Sequence, residues 1–176
     1  MLPPIPAWEH VHPIVVHLPL GVLAAVPVLV AIAMCAGKSR QAFGVAALVT
    51  LVIGMAGVML ALATGEAAED AVTIPARAVK VLEHHEDLAK VSRNIFLALT
   101  MGYCAIVGVG AIMKERFKRP IWIVVHALFL ALLAGGLISL ANTGHEGGRL
   151  VHEFGVRAHI IGTPPAGAES SKTDQD

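Results

Sequence analysis

Histidine is the residue type through which this chain is best equipped to bind a cofactor or a metal ion. The sequence has nine histidines. Eight of them lie near the ends of long apolar segments, on what the topology below predicts to be one side of a membrane: His10, His12, His17, His84, His85, His145, His152 and His159. Neutral imidazole binds haem iron and transition metals, and it exchanges a proton near neutral pH. The side that carries these eight residues is therefore the predicted functional side.

Four apolar segments position these histidines. Hydrophobic residues make up 56% of the 176 residues and charged residues 15%, and the mean hydropathy is +0.71. A helix needs about 20 residues to cross the hydrocarbon of a bilayer, and runs of this length lie at about 14–36, 41–64, 94–113 and 120–141. The sequence thus predicts an all-α, four-helix transmembrane bundle in a lipid bilayer.

Charges between the segments predict the orientation of the bundle. The two short connectors, 37–40 and 114–119, hold six basic residues and one acid, and basic connectors face the cytoplasm. Twelve of the thirteen acids lie in the other connecting and terminal segments. Both termini and the histidine side are therefore expected to be extracytoplasmic.

The segments outside the spans differ in character. We expect residues 1–13 to form an extracytoplasmic N-terminal segment and residues 163–176, rich in Pro, Ala, Ser and charge, to form a disordered tail. In the outer loop 65–93, Pro75 suits a helix start and apolar residues recur at helical spacing from Ala78 onward. This predicts an extracytoplasmic helical extension that continues into the third span.

His12 and His17 open the first span. Pro13 suits the first helical position, which places His12 near the cap and His17 about one turn deeper. The two residues lie about 140° apart around a helix, so one face does not present both to the same ion. Pro19 leaves the carbonyl of Val15 without its helical donor and is expected to bend the helix.

Three further motifs supply possible ligands. Glu66 and Glu69 follow the second span and could offer carboxylate oxygens. His85 lies on the apolar stripe before the third span and is predicted to point into the bundle, whereas His84 lies off the stripe. His145 and His152 follow the fourth span seven residues apart, nearly aligned if the segment is helical, although two glycines between them also allow a turn.

Together, four motifs resemble the DUF2231 family of bacterial four-helix membrane proteins over about residues 10–160. They are HPIVVHLPLG, TGEAAE, HHEDLA and TGHEGGRLVHEFGV. Some relatives are fused to c-type cytochrome or Rieske iron–sulfur domains, so the resemblance implies a role beside extracytoplasmic electron transfer. The closing segment departs from the pattern, because His152 replaces the usual tyrosine and Phe154 replaces the second histidine. Any role of the closing histidine would pass to His152.

The leading hypothesis is a membrane b-type cytochrome in which two imidazoles from facing helices hold one haem b near the outer face. We expect His17 and His85 to be the axial pair, with His145, His152 and His12 as further cofactor-binding candidates. Such a protein would transfer electrons from a membrane donor such as quinol to an extracytoplasmic c-type cytochrome or Rieske-type protein. Ligation by two histidines leaves no open position for a substrate, so an electron-transfer subunit is expected rather than a stand-alone enzyme.

Two alternatives belong to other classes of protein. In one, His17, His85, His145 and His152, with Glu66 and Glu69, hold copper, zinc or iron for sensing, delivery or transport. In the other, the chain is a structural subunit of a respiratory complex and its histidines line an interface. The sequence has no net charge, no nucleotide-binding fingerprint and no nucleophile constellation, so no nucleic acid partner and no hydrolase activity are expected. Its two cysteines have neither CxxC nor CxxCH spacing.

Overall fold

The computed structural model describes Trp8, residues 11–113 and residues 118–156. Regular structure within these residues is entirely helical: α1 is His12–Val15, α2 is His17–Cys35, α3 is Arg40–Asp70, α4 is Val79–Met113 and α5 is Arg119–His152. A short 3₁₀ turn, Gly37–Ser39, joins α2 to α3. Counting α1 and α2 as one segment, four helices are long and apolar enough to cross a membrane. The predicted all-α fold with four candidate spans is thus confirmed.

The long helices extend beyond the apolar runs that predicted them. Helix α3 has 31 residues, α4 has 35 and α5 has 34. At a rise of 1.5 Å per residue, α4 is about 52 Å long, whereas the hydrocarbon of a bilayer is about 30 Å thick. Only residues 71–78 of the predicted loop 65–93 lie outside a helix. The predicted helical pattern from Ala78 onward is realised at the start of α4.

The first span is interrupted where proline predicts a bend. Helix α1 ends at Val15 and α2 begins at His17, and Val16 forms the break. Pro19 provides no N–H for the carbonyl of Val15, so the helical ladder is incomplete at this position. A one-turn segment, α1, is thereby placed against the end of α3.

The helices pack as two hairpins that together form a four-cornered bundle. The first hairpin is α1, α2 and α3, and the second is α4 and α5. Helix α2 packs against α3 and α5, while α4 packs against α5 and α3. Each long helix therefore contacts two neighbours. Within the described residues the bundle encloses a large apolar core that includes Leu23, Leu51, Phe96 and Leu133, and a smaller cluster around Ala33 and Trp122.

Glycines permit the close approach of the helices within each hairpin. In the first hairpin, Gly54 lies directly under the side chain of Leu23, where a Cβ atom would collide. In the second hairpin, a Cβ on Gly136 would lie 2.9 Å from a methyl group of Leu99. Dispersion contacts between closely packed backbones stabilise helix pairs in lipid, because apolar burial alone does not distinguish helix from lipid.

The topology separates two chemically different ends of the bundle. We call the end formed by α1, the last turns of α3, the first turns of α4 and the last turns of α5 the histidine end. The opposite end, with Lys38, Arg40, Lys118 and Arg119, we call the basic end. The predicted tail 163–176, most of segment 1–13, and His10 and His159 lie outside the described residues.

Candidate functional site at the histidine end

His12 binds to the end of α3 through a threonine. Its Nδ1 lies 3.1 Å from the hydroxyl oxygen of Thr64, which is fully buried. The Thr64 hydroxyl donates its own proton to the carbonyl of Leu60 or Ala61, at 3.0 and 3.1 Å. Its oxygen therefore accepts from His12, and Nδ1 of His12 carries the proton. This leaves Nε2 of His12 as the nitrogen with a lone pair.

His85 makes the matching contact in the second hairpin. Its Nδ1 donates to the backbone carbonyl oxygen of Thr143 on α5, at 2.9 Å. A carbonyl only accepts hydrogen bonds, so this ring also carries its proton on Nδ1 and keeps the lone pair on Nε2. The prediction that His85 faces the bundle while His84 lies off the stripe agrees with their exposures, since His85 is half-buried and His84 is exposed.

Both rings lie against a glycine of the adjacent helix. A Cβ atom on Gly65 would lie 3.2 Å from Cε1 of His12, and a Cβ atom on Gly147 would lie 3.0 Å from Cε1 of His85. Each distance is shorter than an ordinary van der Waals contact. The absence of a side chain at these two positions therefore permits the observed ring positions.

The two imidazoles come from different hairpins but share one region. His12 belongs to the first hairpin and His85 to the second, and they lie close enough for their charges to interact. Each hairpin thus contributes one histidine from its first helix, with the ring held by a glycine and a hydrogen-bond acceptor on its second long helix. The arrangement resembles an approximate two-fold repeat.

His17 lies elsewhere on the surface. Its side chain is exposed, and its Nδ1 donates to the carbonyl oxygen of Pro13, on the same segment, at 2.7 Å. The angular separation predicted for His12 and His17 is consistent with this difference, because His12 is half-buried. Of the two N-terminal histidines, His12 is the half-buried one and the one whose electrostatic surroundings include His85.

His145 and His152 lie on the exposed side of α5. The helix continues through both glycines to His152, so the helical alternative holds and the turn does not form. Both histidines line a shallow, open pocket of about 280 Å³ together with Arg149. Seven residues correspond to two helical turns, about 10.5 Å along the helix, so the two imidazoles lie nearly in line on one face of α5.

Within the described residues, the two acids suggested as ligands form no group of three or more metal-binding side chains with the histidines. Glu66 and Glu69 are exposed. Glu69 shares a hydrogen bond with Glu86 of α4, and this carboxyl–carboxylate contact, with smaller contributions from burial and from Asp70, raises the pKa of Glu69. Glu86 also forms an ion pair with Lys90 at 3.2 Å. The contact between Glu69 and Glu86 thus connects the two hairpins.

A chain of hydroxyl groups extends from His85 into the bundle. Ser92 Oγ lies 2.8 Å from Ser139 Oγ and 3.0 Å from the hydroxyl of Thr143. The Thr143 hydroxyl donates to the carbonyl oxygen of Ser139 at 3.0 Å, while the Thr143 carbonyl accepts from His85. Hydroxyls of α4 and α5 thus fix the backbone that orients the His85 ring.

His126 occupies a contrasting place near the basic end. It is fully buried, donates from Nδ1 to the carbonyl of Trp122 at 2.9 Å, and stacks on the Trp122 ring with centroids 4.0 Å apart. Its Nε2 and the hydroxyl of Tyr103 are the two buried polar side-chain atoms without a hydrogen bond among the described residues. This enclosed position is that of a packing residue.

The donor set at the histidine end is small. Across residues 11–113 and 118–156, no three His, Cys, Asp or Glu side chains come together in a way that could hold a metal ion. A bare transition-metal ion in a protein usually takes at least three protein ligands. Haem supplies four nitrogens of its own, so two axial imidazoles complete its coordination.

Sequence reasoning did not identify the residues that hold the two rings. Thr64, Gly65, Thr143 and Gly147 all lie in motifs noticed for their acids and histidines. A signal was available, because both motifs begin with Thr-Gly at the end of the second long helix of a hairpin. Aligning the two hairpins on this signal finds Thr64, Gly65 and Thr143 but misses Gly147, because the glycine after Thr143 is Gly144, where a Cβ would meet no atom within 4 Å.

Comparisons with known proteins add no further information. No family model, curated protein or solved structure matches this chain. The features of this chain that bear on its function are its four sequence motifs and the geometry of the histidine end.

Proposed function

We propose that this protein is a membrane b-type cytochrome in which His12 and His85 bind the iron of one haem b between the two hairpins. The observation that carries the proposal is the shared state of the two rings. Each donates from Nδ1 to a fixed acceptor of the neighbouring helix, at 3.1 and 2.9 Å, and each keeps Nε2 for a ligand. Histidines that bind metals in proteins are typically oriented in this way.

The choice of His12 revises the axial pair expected from the sequence. His17 donates to its own segment and is exposed, whereas His12 interacts electrostatically with His85. His12 also lies on the first hairpin and His85 on the second, so a haem bound by both would be held on two sides. His145 and His152 stay outside the proposed ligand set.

Charge distribution supports an extracytoplasmic position for this haem. The basic end carries Lys38, Arg40, Lys118 and Arg119, and such residues mark cytoplasmic connectors. The histidine end would then face outward, with the first turns of α4 projecting above the bilayer as the helical extension. In this orientation both termini are extracytoplasmic, and the membrane is the inner membrane of a bacterium.

Haem in this position would supply one-electron chemistry. Ligation by two histidines leaves no iron position for a substrate, so the proposed role is electron transfer from a membrane donor such as quinol to an extracytoplasmic acceptor. The resemblance to the DUF2231 family supports a c-type cytochrome or Rieske-type acceptor, because those domains are fused to some relatives.

The test is a dithionite-reduced minus air-oxidised absorption spectrum of protein purified in mild detergent from haem-sufficient cells. We expect sharp α and β bands and a shifted Soret band. His12→Ala and His85→Ala should each lower the haem content at least about tenfold, because an axial ligand is lost. His17→Ala and His84→Ala are matched controls from the same two segments and should retain the haem.

Other outcomes point to the alternative functions. A colourless protein with stoichiometric copper, zinc or iron by metal analysis would replace the cytochrome by a metal-binding module. A colourless, metal-free protein would favour a structural subunit. Loss of haem in His17→Ala but not in His12→Ala would restore the axial pair first expected from the sequence.

A further inference from the structure

The two proposed ligands are held by chemically different acceptors. His85 donates to a backbone carbonyl, that of Thr143, which no substitution of a side chain removes directly. His12 donates to a side-chain hydroxyl, that of Thr64. The first hairpin therefore makes through a side-chain hydroxyl, with the backbone carbonyl of Ala61 also near the His12 ring, the contact that the second hairpin makes through its backbone alone.

The Thr64 hydroxyl completes the most hydrogen bonds when it accepts from His12. Its single proton goes to the carbonyl of Leu60 or Ala61, one turn earlier in α3. Thr64 is fully buried, so water does not compete for this proton. Its oxygen is left as an acceptor, and an acceptor at 3.1 Å from Nδ1 favours the imidazole tautomer with the proton on Nδ1.

Gly65 reinforces this restraint from the next position. The His12 ring lies close above it, and a Cβ there would come within 3.2 Å of Cε1 and 3.5 Å of Nδ1. The ring is thus held on one edge by the Thr64 hydroxyl and on its surface by the backbone of α3. Both rotation of the ring and exchange of its tautomer are opposed.

We infer that Thr64 is a positioning residue that fixes His12 in the tautomer and orientation required for iron ligation through Nε2. This inference rests on the proposed haem function. A hydrogen bond to the remote nitrogen also makes an axial imidazole a stronger electron donor, which stabilises ferric relative to ferrous haem. Thr64 would accordingly lower the midpoint potential as well as increase haem retention.

Two substitutions at Thr64 separate the hydroxyl from the packing. Thr64→Val keeps the branched shape and removes the acceptor, whereas Thr64→Ser keeps the acceptor. Thr50→Val is the matched control, because Thr50 lies on the same helix and its hydroxyl likewise donates to a carbonyl one turn earlier, at 2.8 Å from Ala46. The structure gives Thr50 no hydrogen bond to a histidine.

The first measurement needs no haem. Full-length protein from haem-limited cells is labelled with ¹⁵N-histidine, and the His12 signals are assigned by their loss in His12→Ala. We expect His12 protonated on Nδ1 in the native protein, in Thr64→Ser and in Thr50→Val, and a mixture of both tautomers in Thr64→Val. An unchanged tautomer in Thr64→Val would overturn the inference.

The second measurement uses protein from haem-sufficient cells. Thr64→Val should weaken haem retention by about ten- to a hundredfold, the usual effect of losing such a supporting hydrogen bond, and it should raise the midpoint potential of the haem that remains. Thr64→Ser and Thr50→Val should match the native protein. Haem present in all variants with equal potentials would overturn the role of Thr64 and leave the cytochrome proposal intact, whereas a colourless native protein would overturn both.

Discussion

The two ends of the bundle use histidine in opposite ways. At the histidine end, His12 and His85 are half-buried, come from different hairpins and lie against glycines. Near the basic end, His126 is fully buried and stacks on Trp122 of its own helix, with Tyr103 at 5.6 Å. All three rings donate from Nδ1 to an acceptor. Only the surroundings of Nε2 distinguish a possible ligand from a packing residue.

Space and pairing account for this difference. In the proposed site, two imidazoles from separate hairpins offer two lone pairs to one haem, and Gly65 and Gly147 have no side chain that would displace the rings. His126 has no second histidine near it within the described chain, and aromatic rings occupy the surrounding volume. A single enclosed imidazole contributes to the core and lacks the partner that a bis-histidine site needs.

The largest expected effect is on haem binding, tested by chemical rescue of a ligand at the histidine end. We expect His85→Gly to lose the haem spectrum and millimolar imidazole to restore it, because the vacated position is partly open to solvent and free imidazole replaces the ligand. The difference spectrum before and after addition measures the effect. His84→Gly carries the same glycine penalty on the same helix and should retain haem throughout. Haem retained by His85→Gly without imidazole would remove His85 from the site.

Alanine at the glycines that lie against the histidine rings should weaken haem binding while stabilising the helix. At Gly147 a Cβ would approach His85 to 3.0 Å, so the ring must shift, and we expect about tenfold weaker haem retention. Replacing glycine by alanine inside a helix stabilises it by about 1 kcal/mol. Gly144→Ala and Gly148→Ala meet no atom within 4 Å and should gain stability without losing haem.

A parallel experiment at Gly65 tests the first hairpin. Gly65→Ala should reduce haem retention less than Gly147→Ala, because its Cβ would lie slightly farther from the ring, at 3.2 Å from Cε1 of His12. Haem titration of the purified variants measures both losses. Equal haem retention by Gly147→Ala and Gly148→Ala would show that the contact with Gly147 does not hold the His85 ring.

The fold was largely predictable, because a lipid bilayer requires apolar segments that cross it to be helical. A run of about 20 apolar residues in a bilayer must be helical to satisfy its backbone hydrogen bonds, and four such runs were visible in the sequence. The ends of the helices were less predictable. Helix α3 continues to Asp70 and α5 to His152, because packing against neighbouring helices overrides the loss of hydrophobicity and the glycines in these last turns.

The site was predictable in part. His85 was expected to face the bundle from its apolar stripe, and it does so. The proposed pairing of His85 with His12 depends on the packing of α1 against α3, and no periodicity in the sequence encodes that contact. The Thr64 acceptor was also hidden, because a threonine near a helix end is usually a neutral surface residue.

Removing the unpartnered polar atoms near the basic end should leave haem untouched and increase stability. Tyr103→Phe eliminates a buried hydroxyl without a hydrogen bond and preserves the shape of the ring. An unsatisfied buried polar group costs about 1–3 kcal/mol, so we expect a gain of about 1 kcal/mol, or roughly 2–4 °C in melting temperature. Circular dichroism during heating in detergent measures this change.

His126→Leu is the companion to Tyr103→Phe. It removes the unpartnered Nε2 but also the stacking on Trp122. Its gain in stability should therefore be smaller than that of Tyr103→Phe. A loss of stability in Tyr103→Phe would mean that the hydroxyl has a partner in the membrane, such as a bound water. A loss of haem in His126→Leu would contradict the division of roles between the two ends.

The smallest expected effect concerns the carboxyl contact between the hairpins at the histidine end. Glu69 lies beyond the predicted span 41–64, and its hydrogen bond with Glu86 raises its pKa above the ordinary value of 4.5. The folded protein therefore binds this proton more tightly than the unfolded chain does. Its stabilising contribution is complete below pH 4.5 and is lost as pH rises through the raised pKa.

Because Glu69 is exposed, we expect Glu69→Gln to change stability at neutral pH by less than about 0.5 kcal/mol. The decline of melting temperature above pH 4.5 should become shallower in Glu69→Gln and equally in Glu86→Gln, since either substitution removes the carboxyl pair. An unaltered pH profile in both variants would show that this contact does not couple the hairpins, and the histidines and their supporting residues would then be the principal connection at this end.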